Sequence, residues 1–181
     1  LCDLLVCYLV SRDVCFFLRF SRPRRSPPLY SSAASDVYKE TAFYATYPGT
    51  VRGAGASPLA IQTRAKDAFQ PRASDIEVHA HGAKSLLINS PNNPTGTVYS
   101  RATLEGIADV CKRHDLWLIS DEVYDTQVWE GDHLSPRALP DMAERTLVVG
   151  SMSKSHAMTG SRVGWVVGPE AVVESLTNLA T

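Results

Sequence analysis

The sequence has no surplus of charge of either sign. Its 18 lysines and arginines are matched by 19 aspartates and glutamates, for a net charge of −1. A nucleic-acid binder normally carries a basic excess or stripe, so that partner is excluded. Cysteine is scarce: of the four, three (Cys2, Cys7 and Cys15) fall within the first 15 residues, which is no disulfide framework. No apolar run reaches the ~18 residues of a membrane span, so no membrane partner is expected. Metal binding is not expected either. His79 and His81 have no cysteine, carboxylate or further histidine at ligand spacing. What remains is 181 residues, 44% of them hydrophobic, enough for one packed core.

Residues 1–34 read differently from the rest. Leu4–Val10 and Val14–Leu18 are short apolar runs separated by Ser11-Arg12-Asp13, and Arg22-Pro23-Arg24-Arg25-Ser26-Pro27-Pro28 breaks any helix. A secretory signal places positive charge before its apolar stretch, whereas here Asp3 precedes it and the arginines follow. The expectation is an irregular extension that the main fold does not use, on a cytoplasmic protein.

From residue 35 to 181 the pattern is that of an α/β domain. Ser85-Leu86-Leu87-Ile88-Asn89, closed by the Ser90-Pro91-Asn92-Asn93-Pro94 turn cluster, reads as a buried strand. Ser100 can cap a helix with Leu104, Ile107, Ala108 and Cys111 on one face. Leu116–Ile119, Thr146–Val149 and Arg162–Val167 read as further strands. Pro169 opens a helix burying Val172, Val173, Leu176 and Leu179. Strands alternating with helices predict three layers: a mostly parallel sheet with helices on both faces. Trp117 and Trp165 fall in strand patterns and are expected to pack. In such sheets ligands bind beyond the carboxyl ends of the strands. Asn93, Asp121 and Ser151–Lys154 fall at those ends.

Each of these groups has a chemistry and a plainer use. Lys154, among Ser151 and Ser153, can form a Schiff base with an aldehyde once it loses its proton. Arg162 supplies a cation whose planar fork suits phosphate. A lysine in a serine-rich loop also serves simply as a solvated residue. Asp121 can hold a heteroaromatic nitrogen protonated, or cap a helix. Tyr124 can place a phenol near the same ring, or be an ordinary half-buried tyrosine. Asn93, between two prolines, can donate a hydrogen bond from a rigid position, or merely make the turn.

Together, Asn93-Pro94-Thr95-Gly96, Asp121-Glu122-Val123-Tyr124, and Ser151-Met152-Ser153-Lys154 with Arg162 resemble the class I/II aminotransferases. Phe43-Tyr44-Ala45-Thr46-Tyr47-Pro48-Gly49 resembles the family segment ahead of that turn. The resemblance implies the fold-type I architecture and pyridoxal 5'-phosphate as cofactor. It also implies amino-acid and 2-oxo-acid substrates, and a homodimer when full length. It implies that Lys154 binds the cofactor aldehyde and shuttles the proton, and that Asp121 pairs with the pyridine nitrogen. Asn93 and Tyr124 would bond the ring oxygen, and Ser151, Ser153 and Arg162 would hold the phosphate. Ser155–Gly160 and Arg162–Trp165 look most like the arginine–pyruvate branch.

The chain also departs from the family. Ala42 stands where proline is usual, and Ser161 where close relatives often have tryptophan. Residues 1–34 match neither the upstream glycine-containing phosphate loop nor the aromatic residue that stacks on the ring. By this resemblance the chain is a fragment. Residues 35–181 are part of the cofactor-binding large domain, the C-terminal small domain is absent, and activity of the chain alone is impaired. The alternatives are a non-catalytic remnant, an effector-sensing domain, or a lyase using the same cofactor.

Overall fold

The computed structural model describes residues 15–16, 44, 46–54 and 56–180. They form five strands, β1 (Cys15–Phe16), β2 (Ser85–Asn89), β3 (Trp117–Asp121), β4 (Thr146–Ser151) and β5 (Gly164–Val167). The helices are α1 (Tyr47–Gly53), α2 (Ala73–Ala80), α3 (Arg101–Arg113), α4 (Met152–Ser155) and α5 (Glu170–Ala180). One sheet holds all the strands in the order β1-β5-β4-β3-β2. The parallel sheet expected from the alternation is β2, β3 and β4. β5 runs antiparallel to β4. Its connection, residues 152–163, contains only the four-residue α4, whereas a parallel return is usually made through a full crossover helix.

Most of the expected irregular stretch 1–34 lies outside the described residues. Its exception is Cys15–Phe16, which pairs antiparallel with Val166 and Val167 of β5. The apolar, β-prone run from Val14 to Phe17 accounts for this pairing.

The core is made where α2 and α3 cover one face of the sheet. Ser100 caps α3, its hydroxyl oxygen accepting the Thr103 N–H at 3.2 Å, and the four expected apolar positions are buried together with Val110. They meet Ile76 and Ala80 of α2, Ile88 of β2 and Leu118 of β3. Each fully buried aliphatic side chain here contributes about 1.5–3 kcal/mol. At the end of α3, Arg113 and His114 both reach Glu77 of α2, so positive charge lies where the helix carbonyls are unpaired.

Strand alternation puts Trp117, Ile119 and Asp121 on the other face, in register with Ser85, Leu87 and Asn89. Trp117, expected to pack, is therefore 38% exposed. Leu87 and Ile119 line a cavity of about 520 Å³ bordered by α1 and residues 56–61. Trp165 does pack. It lies over Gly150, its partner on β4, where a Cβ would come within 2.4 Å of the indole. In α5, Val173 is buried while Val172 and Leu176 are half-buried; the Leu179 side chain lies outside the described residues.

Three helices were not anticipated, one of them the four-residue α4 in what reads as a serine-rich loop. α1 contains Gly49 and Gly53 and buries no residue, so it has no apolar stripe to read. α2 buries only Ile76 and Ala80 among polar neighbours.

Candidate functional site

The carboxyl ends of β2, β3 and β4 open on the same side, and the residues that follow them build one site. Asn89 ends β2 and is 4% exposed. Its Nδ2 donates to the Asp121 carbonyl at 3.0 Å, and its Oδ1 accepts the Asn93 N–H at 2.8 Å. One buried amide thus joins the end of β3 to the turn after β2. That turn is closed by Gly96 N–H to the Asn92 carbonyl at 2.8 Å, with Gly96 at φ +73°. The Asn92 side chain accepts both the N–H and the hydroxyl of Thr95. Asn93 is thereby held so that its Nδ2 donates to the Tyr124 hydroxyl at 3.3 Å.

Asp121 has a donor on each carboxylate oxygen. Val123 N–H meets Oδ1 at 3.1 Å, and the Tyr47 hydroxyl meets Oδ2 at 2.5 Å. Burial pushes the Tyr47 phenol far above its ordinary pKa, and the Asp121 charge and hydrogen bond push it further. Tyr44 packs edge-on against Tyr47, with ring centroids 5.7 Å apart.

The base of the loop carrying Tyr124 is stapled shut. Glu122 is 6% exposed, and its two oxygens meet His133 Nε2 at 2.9 Å and the Ser135 hydroxyl at 2.7 Å. The tip of this loop, Trp129, is 94% exposed.

Past β4 the arrangement is looser. Ser151 caps α4, accepting the Ser153 N–H at 3.0 Å, and donates its own proton to the Val163 carbonyl at 3.0 Å. Its hydroxyl proton is therefore already committed. The Ser153 hydroxyl has no hydrogen bond among the described residues. Lys154 is exposed, its Nζ 5.8 Å from the centre of the Tyr124 ring. Arg162 is exposed at φ +53° and donates to the Thr159 carbonyl at 3.3 Å.

Of the seven residues singled out in the sequence, Asn93, Asp121, Tyr124 and Lys154 are thus linked by contact or through Asn89. Ser151 and Ser153 adjoin Lys154. Arg162 joins them only through the backbone, where the Val163 carbonyl accepts from Ser151 Oγ and Met152 N–H. Sequence reasoning missed Asn89 and Tyr47. A polar residue closing an apolar strand was the available signal for the first. The second stood in a recognised segment but had no partner within it.

A carboxylate, two donors meeting 3.3 Å apart, an amine beside them and a free hydroxyl with a nearby guanidinium suit pyridoxal phosphate. Asp121 could face its ring nitrogen, Asn93 and Tyr124 its ring oxygen, Lys154 its aldehyde, and Ser153 with Arg162 its phosphate. Residues 29–181 match the family described as aminotransferase class I and II. The chain belongs to this family.

Arginine–pyruvate transaminase AruH of Pseudomonas aeruginosa is 45% identical over 138 residues, which are 76% of this chain and 35% of that protein. Aspartate/prephenate aminotransferase of Thermus thermophilus is 37% identical over 77% of this chain and 36% of its own length. Among solved structures, Thermus thermophilus aspartate aminotransferase with maleate superposes with a TM-score of 0.73 at 35% identity, over 77% of this chain and 36% of that one. The chain therefore spans little more than a third of the aminotransferases it matches. The family depends on pyridoxal phosphate, and its fold-type I architecture is the α/β arrangement described above. Among the described residues, no helix is long and apolar enough to cross a membrane.

Proposed function

We propose that the chain is the cofactor-binding part of an aminotransferase that moves an amino group from an amino acid to a 2-oxo acid, of the arginine–pyruvate kind. The observation that carries this reading is the meeting of Asp121, Asn93, Tyr124 and Lys154 at the carboxyl ends of parallel strands. The arginine–pyruvate choice is supported by the 45% identity with AruH and by the Ser155–Trp165 segment. In the same reading, residues 35–181 form the large-domain portion after an extension over 1–34. The enzyme works in the cytoplasm as a homodimer, an assignment supported by the family resemblance alone.

When bound, pyridoxal phosphate supplies an electron sink for the pair left at the substrate Cα. The chain's own residues do the rest. Asp121 holds the proton at the ring nitrogen. Asn93 Nδ2 and the Tyr124 hydroxyl donate to the ring oxygen from positions already fixed by the turn and the loop, so little reorganisation is required. Lys154 Nζ, in its neutral form, takes the proton from the substrate Cα and returns it later in the transfer. Ser151, Ser153 and Arg162 anchor the phosphate, Ser151 by giving up its bond to the Val163 carbonyl.

Reduction with borohydride in the presence of pyridoxal phosphate, followed by peptide mass mapping, tests the assignment. The expected result is a label on Lys154 that is lost in Lys154→Ala; scattered or absent labelling overturns it. Incubation with arginine and pyruvate is expected to yield alanine. Keto acid released without any acceptor in excess of one equivalent per site, with ammonia, would instead indicate a lyase.

A further inference from the structure

The shortest polar contact at the site involves a residue with no role so far. Tyr47 is half-buried at the start of α1, and its hydroxyl reaches across 74 positions of sequence to Asp121 Oδ2 at 2.5 Å. That length lies in the range of O–H donors to an ionised carboxylate. We infer that Tyr47 is the positioning residue for Asp121, fixing the orientation in which the carboxylate meets the cofactor's ring nitrogen. The inference rests on the cofactor reading above.

Three observations carry it. First, Asp121 has one donor per oxygen, from Val123 N–H and Tyr47 O–H, so the carboxylate plane is pinned from two elements at once. Without Tyr47, only the local N–H two residues on remains, and the carboxylate can turn. Second, Tyr47 itself is constrained: Pro48 follows it in the first turn of α1, and Tyr44 packs edge-on against its ring. Third, burial and the facing carboxylate keep the phenol protonated well above its usual range, so it remains a donor wherever the enzyme operates. The two phenols of the site thus do different work. Tyr124 accepts from Asn93 beside Lys154, whereas Tyr47 donates to the Asp121 carboxylate.

The test compares the chain with its Tyr47→Phe variant by equilibrium binding of pyridoxal phosphate and by the pH dependence of the bound cofactor's absorbance. Lys154 labelling of the unaltered chain is the control. The expected result is cofactor binding about tenfold weaker in Tyr47→Phe, with a displaced midpoint in the absorbance titration. If Lys154 labels in the unaltered chain but Tyr47→Phe binds within about twofold and titrates alike, the inference falls alone. If Lys154 does not label, the cofactor reading falls and takes this inference with it.

Should Tyr47→Phe fail to fold, tyrosine-ring NMR of the unaltered chain and of Asp121→Asn decides. Burial also pushes Tyr99 up, to about 12, so two late-titrating rings are expected, and only the Tyr47 ring should titrate earlier in Asp121→Asn. If no tyrosine ring titrates earlier in Asp121→Asn, the inference is overturned.

Discussion

The two ends of the site are held in different ways. At the end built on β2 and β3, Asn89, Asn93, Asp121, Tyr124 and Tyr47 are joined by hydrogen bonds that also hold the fold together. At the end built past β4, Lys154 and Arg162 stand exposed, and Ser151 spends its proton on a backbone carbonyl. Forming the first end is inseparable from forming the sheet. The second end consists of long side chains that lose rotamer freedom only when an anion arrives. Substitutions at the first end should therefore cost both stability and binding, and those at the second end binding alone.

The sharpest break is Asp121→Asn. It removes the charge proposed to face the ring nitrogen, and on that proposal cofactor affinity should fall by about 100-fold in a fluorescence titration. Unchanged affinity would mean that this end is scaffold only. Next is Asn89→Ala, which leaves the Asn93 N–H and the Asp121 carbonyl short of a partner. Thermal unfolding should show a loss of about 1–3 kcal/mol, with weakened cofactor binding as well. Arg162→Ala sharpens the contrast from the other side. Affinity should drop by about tenfold while unfolding stays within about 0.5 kcal/mol. A large stability loss there would erase the distinction.

The last effect belongs to neither end and calibrates the core. Burial pushes the Cys111 thiol up to about 11 from an ordinary 9.0. Because the folded value is the raised one, its contribution to stability is full below pH 9.0 and is lost as pH rises through about 11. Alkaline unfolding curves of the chain and of Cys111→Ala should converge across that window.

Much of this was legible in the residue order. β2 occupies Ser85–Asn89 as its apolar run and turn cluster indicate, and α3 begins after Ser100 with the expected face inward. Both are local patterns, set by side-chain period and capping. Asn93, Asp121 and Lys154 were found because strand ends are where a parallel sheet exposes its chemistry. Tyr47 escaped because its partner lies 74 positions away, and Asn89 because the contact that ties it to β3 spans 32. No periodicity encodes a contact of that kind. The reversed direction of β5 escaped for a different reason, since it depends on how little helix lies between Ser151 and Gly164.

The Glu122 staple has a consequence for how this surface can change. By tying His133 and Ser135 back to the residue after β3, it seals the base of the loop below an exposed Trp129. Closing a loop costs slowly more as it lengthens, so the tip is free to gain, lose or exchange residues. Tyr124 lies in the same loop, two positions past the staple, and is held there by the Asn93 amide. One loop thus carries both a solvent-exposed tip and an anchored tyrosine, so residues at the tip can vary in number without opening its base.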